Sequence, residues 1–425
     1  MVAGGAGGVE TARTWNFQNQ ESNMAAVPMS DKNQLPISCD SHVVEAPEVF
    51  AGLVERFGDE APRIASVGDE ADAMVIPARG GRILGAIKAG IASTRIGRAA
   101  DLRRRPGHKP APENFAGPEL RELCRRGYAG LSEGFVNGAA RGADQEVDGV
   151  AAEVLYPSYF FSIFGLENLD LLTVCFRNYN DWIAGYSKAS NGRLIALALI
   201  PLHDPARGAA ELERILKLGF RGACIPCTAP EERPYRDPAY EPIWSMAEEA
   251  GLPLSMHVGT NATQRRPQPS QGSQPRIDPI AGYASAAISI QRTLTELICQ
   301  GVAHRHPNLK FVVAEFNAGW IANWLERLDQ GYFRARSAAA NYLNLRPSEY
   351  WARQFLATFE DDRAAVLVRE LVGVANLMWG SDYPHLDSTF PCSRQVLDEI
   401  MRDVPGPERY AITRGNVARL YGLAQ

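Results

Sequence analysis

Short apolar runs alternate with segments of helical periodicity along most of this 425-residue chain. Regular alternation of strands and helices predicts a parallel sheet. Eight such units predict that the sheet closes into a (β/α)8 barrel, an α/β fold of the TIM-barrel type. The first strand-to-helix connection lacks a glycine-rich phosphate motif, which argues against a dinucleotide-binding sheet. The eight predicted strands are 35–42, 150–156, 193–202, 220–227, 252–258, 309–316, 355–359 and 377–382.

The chain is predicted to form one barrel domain with a tail and a long insertion. Residues 1–34 lack periodicity and are predicted to be a flexible tail, whereas residues 35–425 form the barrel. The insertion, 59–148, follows the first strand and carries a cluster of basic side chains. We interpret it as solvated and partly helical, or alternatively as a cap or oligomer arm whose arginines reach an anionic substrate. The loop 261–278 follows the fifth strand and is predicted to lie on the active-site face.

Composition argues against several classes of protein. The net charge of -5 argues against nucleic-acid binding. No apolar run approaches the roughly 20 residues of a membrane span, and the first residues lack the apolar core of a secretory signal. The seven cysteines lie scattered in apolar segments, which favours a reduced, cytoplasmic protein. Cys224 and Cys227 have the spacing of a redox pair, but their apolar surroundings predict a strand with two buried cysteines.

Four predicted strands end on side chains that can bind a metal ion. Asp40 and His42 are two positions apart on the first strand, so both side chains leave the same face. His257 ends the fifth strand, Glu315 the sixth and Asp382 the eighth, and the strand ends of a barrel border one mouth. Alone, each has a simpler interpretation, since a single histidine is commonly a core residue and an aspartate can cap a turn. Together they predict one divalent ion bound by Asp40, His42, His257 and Asp382.

This donor set predicts acid–base chemistry supported by a metal ion. An ion held by two imidazoles and two carboxylates can keep a position for water and lower its pKa towards neutrality. Asp382 could bind the ion and also accept the proton of that water as general base. The carboxylates make the set rich in oxygen, so Mn(II) competes with Zn(II), which we rank first. His385 is interpreted either as a substrate contact or as a structural hydrogen-bond partner.

Four segments carry a family resemblance: SCDSHVVE at 38–45, MHVG at 256–259, HPNLKFVVAEF at 306–316 and WGSDYPH at 379–385. They resemble the amidohydrolase-related branch of the amidohydrolase superfamily, which includes aminocarboxymuconate-semialdehyde and resorcylate-type decarboxylases. The likeness extends from about residue 35 to residue 423 and includes the ending NVARLY.

The resemblance implies a barrel that binds zinc or, in some members, manganese. The family's first-strand pair, often His-x-His, falls on Asp40 and His42, with a carboxylate in place of the first histidine. Its fifth-strand histidine falls on His257 and its eighth-strand aspartate on Asp382. The sixth-strand position is commonly a catalytic histidine, whereas this chain has Glu315, which could orient His257, act as an acid or bind the ion.

We therefore predict a metal-dependent hydrolase that acts on a small carboxylated or aromatic compound through a metal-activated water. Its predicted catalytic residues are Asp382, Glu315 and His385. The alternative is a non-oxidative, metal-dependent decarboxylase of an aromatic or unsaturated acid, and a metal-free binding protein is a third interpretation. The predicted partner is a small-molecule substrate, with no nucleic acid and no membrane. The resemblance and the insertion favour a homo-oligomer, a dimer or larger.

Overall fold

The strands form a closed parallel barrel in the computed structural model of this chain, which describes residues 34–67, 71–80, 118–262, 279–335, 343–385 and 387–423. Because Leu194–Ala196 and Ala198–Leu199 are two halves of the third predicted strand, the described residues contain eight strand positions around the barrel. The predicted (β/α)8 fold is confirmed. The strands are β1 (Ile37–His42), β2 (Arg63–Ser66), β3 (Asp72–Val75), β4 (Ala152–Tyr156), β5 (Leu194–Ala196), β6 (Ala198–Leu199), β7 (Ala223–Ile225), β8 (Leu254–His257), β9 (Phe311–Ala314), β10 (Phe355–Phe359) and β11 (Leu377–Trp379).

Helices connect successive barrel strands. Several begin on a polar cap: the side chains of Asn168, Asp204 and Asp362 accept backbone N–H groups of the first helical turn, which would otherwise lack a partner. The α-helices of the described residues are Leu53–Phe57, Pro118–Arg125, Arg141–Asp148, Leu169–Lys188, Pro205–Lys217, Glu241–Glu249, Pro279–Ser285, Ala287–Cys299, Val302–Arg305, Ile321–Arg334, Pro347–Gln354, Arg363–Leu367, Arg369–Val372, Ser393–Ile400, Gly406–Tyr410 and Asn416–Tyr421.

The barrel closes where the chain beyond β11 meets β1. Ser41 and Tyr383 form a parallel bridge, and Asp382 N–H donates to Asp40 O (2.8 Å). Gly380 makes this approach feasible, because a Cβ at that position would lie 2.4 Å from Asp40 Cβ. Closure therefore brings two residues of the predicted metal site, 342 positions apart in sequence, onto adjacent strand ends.

Replacing Gly380 with Ala is expected to destabilise the protein by roughly 3 kcal/mol, since the added methyl overlaps the backbone and Cβ of Asp40. Gly185→Ala is the matched control: this helical glycine has open space around its Cβ position, and the change is expected to stabilise by about 0.5–1 kcal/mol. Urea denaturation measures both. A Gly380→Ala protein as stable as the parent would contradict the tight closure.

The insertion after β1 is partly buried. β2 and β3 form an antiparallel hairpin, and Arg141, in the helix before β4, is fully buried. Its guanidinium donates to both oxygens of Glu153 (2.9 and 2.8 Å) and lies over the Tyr383 ring at 4.4 Å. The prediction of a solvated insertion is wrong for the buried face of this helix, Arg141, Asp144, Gln145 and Asp148, because the ion pair anchors that face beneath the loop that follows β11.

Other predictions from the sequence fall partly on residues that the structure does not describe. These are the tail before residue 34, the basic cluster between residues 82 and 109, and the active-site loop from residue 263 to 278. Cys224 and Cys227 are buried, as predicted, and no disulfide joins any cysteines. Among the described helices, none combines the length and apolar character required to span a bilayer.

Candidate metal centre

β1 delivers Asp40 and His42 to the mouth of the barrel, both of them buried. His42 Nδ1 lies 2.8 Å from the carbonyl oxygen of Pro157, so the ring donates through Nδ1 and presents the lone pair of Nε2 to the site. Thr358, at the end of β10, donates to Asp40 Oδ2 (3.0 Å). Carbonyl and hydroxyl groups of neighbouring strands therefore orient both side chains of the first-strand pair.

His257 ends β8 and adopts the same arrangement as His42. Its Nδ1 donates to Val258 O (2.9 Å), which leaves Nε2 facing Asp40 Oδ1 at 3.2 Å and Glu315 Oε2 at 3.3 Å. The two imidazole rings lie 5.0 Å apart, edge to face. Both rings thus direct an acceptor nitrogen into a space that already contains carboxylate oxygens.

Asp382 completes this convergence from the segment after β11. Its backbone lies in the left-handed region (φ 54°), a conformation that aspartate tolerates better than most residues and that is common at functional sites. Asp382 Oδ1 is 3.1 Å from His42 Nε2 and 3.1 Å from His385 Nδ1. Yet within the described residues neither oxygen of Asp382 makes a hydrogen bond, and neither does His42 Nε2.

Acceptor atoms that face one another in a buried space require a proton or a cation between them. Without a cation, the protonated form of His42 is favoured: burial lowers its pKa, but the nearby negatively charged carboxylates of Asp382 and Asp40 raise it to about 9. Burial raises the pKa of Asp40, but His257 and His42 hold it well below its usual range. A divalent ion would replace that proton and bind the lone pairs of the same nitrogen and oxygen atoms, so these residues fit a metal.

Carboxyl groups at the mouth of the barrel extend beyond the predicted ligands. Glu315 follows β9 with φ 59°, and burial, Asp382 and Glu360 raise its pKa well above the usual value. Glu360 follows β10, where burial, Asp382 and Asp387 raise its pKa similarly. Glu360 was not predicted from the sequence, although it follows an apolar strand, as the site residues of the four predicted strands do. This density of carboxylates also favours a bound cation.

Two overlapping groups of side chains in the described residues have ligand atoms close enough to share an ion. One contains Asp40, His42 and His257, and the other contains His42, Glu315, Asp382 and His385. The two groups share His42, and between them they contain all six residues that the sequence placed in the site. Their individual roles remain proposals.

Aromatic rings border this cluster on one side. Phe161 lies 4.3 Å from His257 between ring centroids, and His385 stacks on His42 at 3.8 Å. Tyr159 and Phe160, which precede Phe161, are buried in the core. Ser158 Oγ is 2.9 Å from His385 Nε2, a contact that no local sequence pattern indicates, since the two residues are 227 positions apart.

Comparison with known proteins tests the family resemblance. A model of the amidohydrolase family matches residues 161–423, more than half of the chain. The chain belongs to the amidohydrolase family. The match includes His257, Glu315, Asp382 and His385, whereas the first-strand pair lies before it and joins the site through the closure of the barrel.

Curated and solved relatives of this amidohydrolase include decarboxylases. Gamma-resorcylate decarboxylase from Rhizobium sp. (strain MTP-10005) is 24% identical over 267 residues, 58% of this chain and 76% of that enzyme. An amidohydrolase from Mycobacterium avium subsp. paratuberculosis K-10 superposes with a TM-score of 0.68 at 18% identity, covering 92% of this chain and 100% of that one. 5-Carboxyvanillate decarboxylase from Novosphingobium aromaticivorans DSM 12444, solved with manganese and 4-hydroxy-3-methoxy-5-nitrobenzoic acid, gives 0.61 at 18% identity, covering 92% and 97%.

The comparisons bear on the two predicted activities, a metal-dependent hydrolase and a metal-dependent decarboxylase. Membership of the amidohydrolase family identifies the chain as a metal-dependent hydrolase or carboxy-lyase. The structural likenesses establish the fold, and the names of the relatives favour the decarboxylase alternative over the hydrolase interpretation that we ranked first. The two groups of ligand atoms in this chain agree with a divalent ion and do not rank zinc above manganese.

Proposed function

We propose that this amidohydrolase is a non-oxidative decarboxylase of a small aromatic acid. The observation that carries the proposal is the buried convergence of two imidazole Nε2 atoms and the carboxylates of Asp40 and Asp382 at the barrel mouth, beside the ring of Phe161. Curated relatives that decarboxylate gamma-resorcylate support the substrate class. The reaction exchanges the ring carboxylate for a proton and releases CO2.

Asp40, His42, His257 and Asp382 are the proposed ligands of the ion. When bound, the ion would supply a Lewis acid for the carboxylate and an adjacent hydroxyl of the substrate. Two imidazoles with two carboxylates suit both Mn(II) and Zn(II). The sequence ranked Zn(II) first, but the manganese in a solved relative makes Mn(II) the first ion to test.

The remaining site residues are proposed to handle the proton and to shape the cavity. Asp382 Oδ1 would deliver the proton to the ring carbon, and His385 Nδ1, 3.1 Å away, would replace it. The side chain of His385 is 23% exposed, whereas Asp382 is fully buried, so the imidazole connects the buried carboxylate with solvent. Glu315 holds His257 through its 3.3 Å contact, and Phe161 offers a ring face to an aromatic substrate.

Incubation of Mn(II)-loaded protein with 2,6-dihydroxybenzoate tests the proposal. We expect release of CO2 and, in D2O, incorporation of one deuterium at the ring carbon that carried the carboxylate. Benzoate, which lacks the adjacent hydroxyl, is the matched control and should react at least ~100-fold more slowly, because it loses one contact to the ion. Hydrolysis of an aromatic amide or ester, with no CO2 from hydroxybenzoates, would instead establish the hydrolase interpretation.

Two further expectations from the sequence remain proposals. We infer a homo-oligomer, a dimer or larger, which sedimentation analysis of the purified protein would test. We also infer a cytoplasmic location. The seven cysteines, five of them buried, form no disulfide within the described residues, which supports a reducing compartment.

A further inference from the structure

Glu45 is a buried carboxylate that takes no part in the proposed chemistry. It lies three residues after His42 and has no exposed surface. Its two oxygens accept the backbone N–H groups of three consecutive residues: Ser158 (3.0 Å), Tyr159 (2.9 Å) and Phe160 (3.0 Å). Burial raises the pKa of Glu45 to about 7, whereas the three N–H groups lower it, because their hydrogen bonds are stronger to an ionised carboxylate than to a neutral acceptor. Glu45 therefore holds this segment, 113 to 115 positions later in sequence, against the end of β1.

The segment held by Glu45 makes three different contacts with the candidate metal centre. The carbonyl of Pro157 accepts from His42 Nδ1 at 2.8 Å. Ser158 Oγ lies 2.9 Å from His385 Nε2. The ring of Phe161 packs on His257 at 4.3 Å between centroids. One buried carboxylate thus fixes the segment from which all three histidines of the site receive a contact.

We propose that Glu45 is a positioning residue that sets the ring orientations of His42, His385 and His257 through residues 157–161. This inference rests on the proposed metal-dependent function and adds to it a residue that touches neither ion nor substrate. The contact with His42 matters most, because the carbonyl of Pro157 keeps the Nδ1 proton in place and directs Nε2 to the ion. Groups that orient metal-bound histidines in this way commonly change metal affinity about 10–100-fold when they are removed.

Glu45→Gln provides the test, because glutamine has nearly the same shape. Its single acceptor oxygen cannot serve all three N–H groups, and its amide N–H2 would face one of them. We expect Mn(II) to bind about 10–100-fold more weakly, measured by competition with a chelator. We also expect the His42 Nδ1 proton to exchange with solvent at least ~10-fold faster, in both metal-free and Zn(II)-loaded protein. NMR of 15N-histidine-labelled protein measures this exchange, and the His42→Gln variant assigns the signal.

Glu211→Gln is the matched control. Glu211 is equally buried and accepts from Asn180 (2.8 Å) and Arg214 (2.7 Å), but it lies on the helix Pro205–Lys217 and touches no site residue. Its replacement should destabilise the protein while leaving Mn(II) affinity and His42 proton exchange unchanged. Should it weaken Mn(II) binding as much as Glu45→Gln does, the effect would be one of general stability and the positioning role would be wrong.

A folded Glu45→Gln protein with parental Mn(II) affinity and parental His42 exchange would overturn the proposal. If the glutamine variant does not fold, Glu45→Asp takes its place. Aspartate keeps the charge, but its shorter side chain cannot reach all three N–H groups. We therefore expect a roughly 3–10-fold loss of Mn(II) affinity. Unchanged Mn(II) affinity and unchanged His42 proton exchange in Glu45→Asp would equally count against the proposal. Because proton exchange is measured without substrate, absence of CO2 release would refute the proposed reaction and leave this test intact.

Discussion

Replacing Asp382 with Asn should lower kcat for aromatic-acid decarboxylation by at least about 10³-fold, because it removes both a ligand of the ion and the group proposed to deliver the proton. The carboxylate is fully buried, lies 3.1 Å from both His42 Nε2 and His385 Nδ1, and makes no hydrogen bond within the described part of the chain. Asparagine has the same shape and also tolerates the left-handed backbone at this position. The variant should therefore fold while losing activity, as measured by CO2 release and by thermal unfolding.

Asp148→Asn is the matched control for this change. Asp148 is another buried aspartate near the same loop, where its oxygens accept from the backbone and hydroxyl of Ser393. Its hydrogen bonds go to Ser393 and not to any of the six candidate site residues, so its replacement should have little effect on the site. We expect activity within about threefold of the parent, consistent with a change outside the reacting groups. If Asp382→Asn retained more than about a tenth of kcat, Asp382 could not be the proton donor.

Removal of divalent ions should lower activity below about 1%, and Mn(II) should restore it, since the ion supplies the charge that the reaction requires. The same treatment should also lower stability. The buried carboxylates of Asp40 and Asp382 face imidazole Nε2 atoms, an arrangement that needs a cation or a proton. An ion present at 100 times its dissociation constant adds about 2.7 kcal/mol to the free energy of unfolding, which would appear as a concentration-dependent rise in Tm.

His257→Gln distinguishes the ion at this site from ions bound elsewhere. The variant loses the Nε2 atom that faces Asp40 and Glu315, so Mn(II) should no longer raise its Tm. His304→Gln is the control: His304 contacts Tyr350 (2.9 Å) away from the site, and its variant should respond to Mn(II) as the parent does. A Tm rise of equal size in His257→Gln and the parent would show that the ion does not bind in the predicted place.

The fold was predictable because the information for it is local. Each barrel strand is a short apolar run, and the runs are separated by segments whose helix caps and apolar periodicity can be identified in the sequence. The apolar character of each strand also revealed most of the site, since a polar side chain directly after a buried strand is unexpected unless it has a function. Glu360, after β10, obeys this rule and could have been found by applying it to the seventh strand as well.

Contacts between distant segments were not predictable in this way. Thr358 supports Asp40 from 318 positions away, and the loop at residues 157–161 is held by Glu45 from more than 110 positions away. Arg141 seemed a solvated residue of an insertion, but Glu153 and the ring of Tyr383 bury it. A single sequence contains no periodicity that pairs such residues.

The amino-acid order by itself determined the barrel and the types of ligand at its mouth, because strand periodicity and the residues after each strand are properties of short segments. Tertiary structure alone decided which nitrogen of each histidine faces the site, which carboxylates share it and which neighbours orient them. Those properties depend on closure between β1 and the segment after β11, where Gly380 allows Asp382 and Asp40 to approach. Hydrogen bonds and charges act over a few ångströms in space, whatever the separation of the residues in sequence.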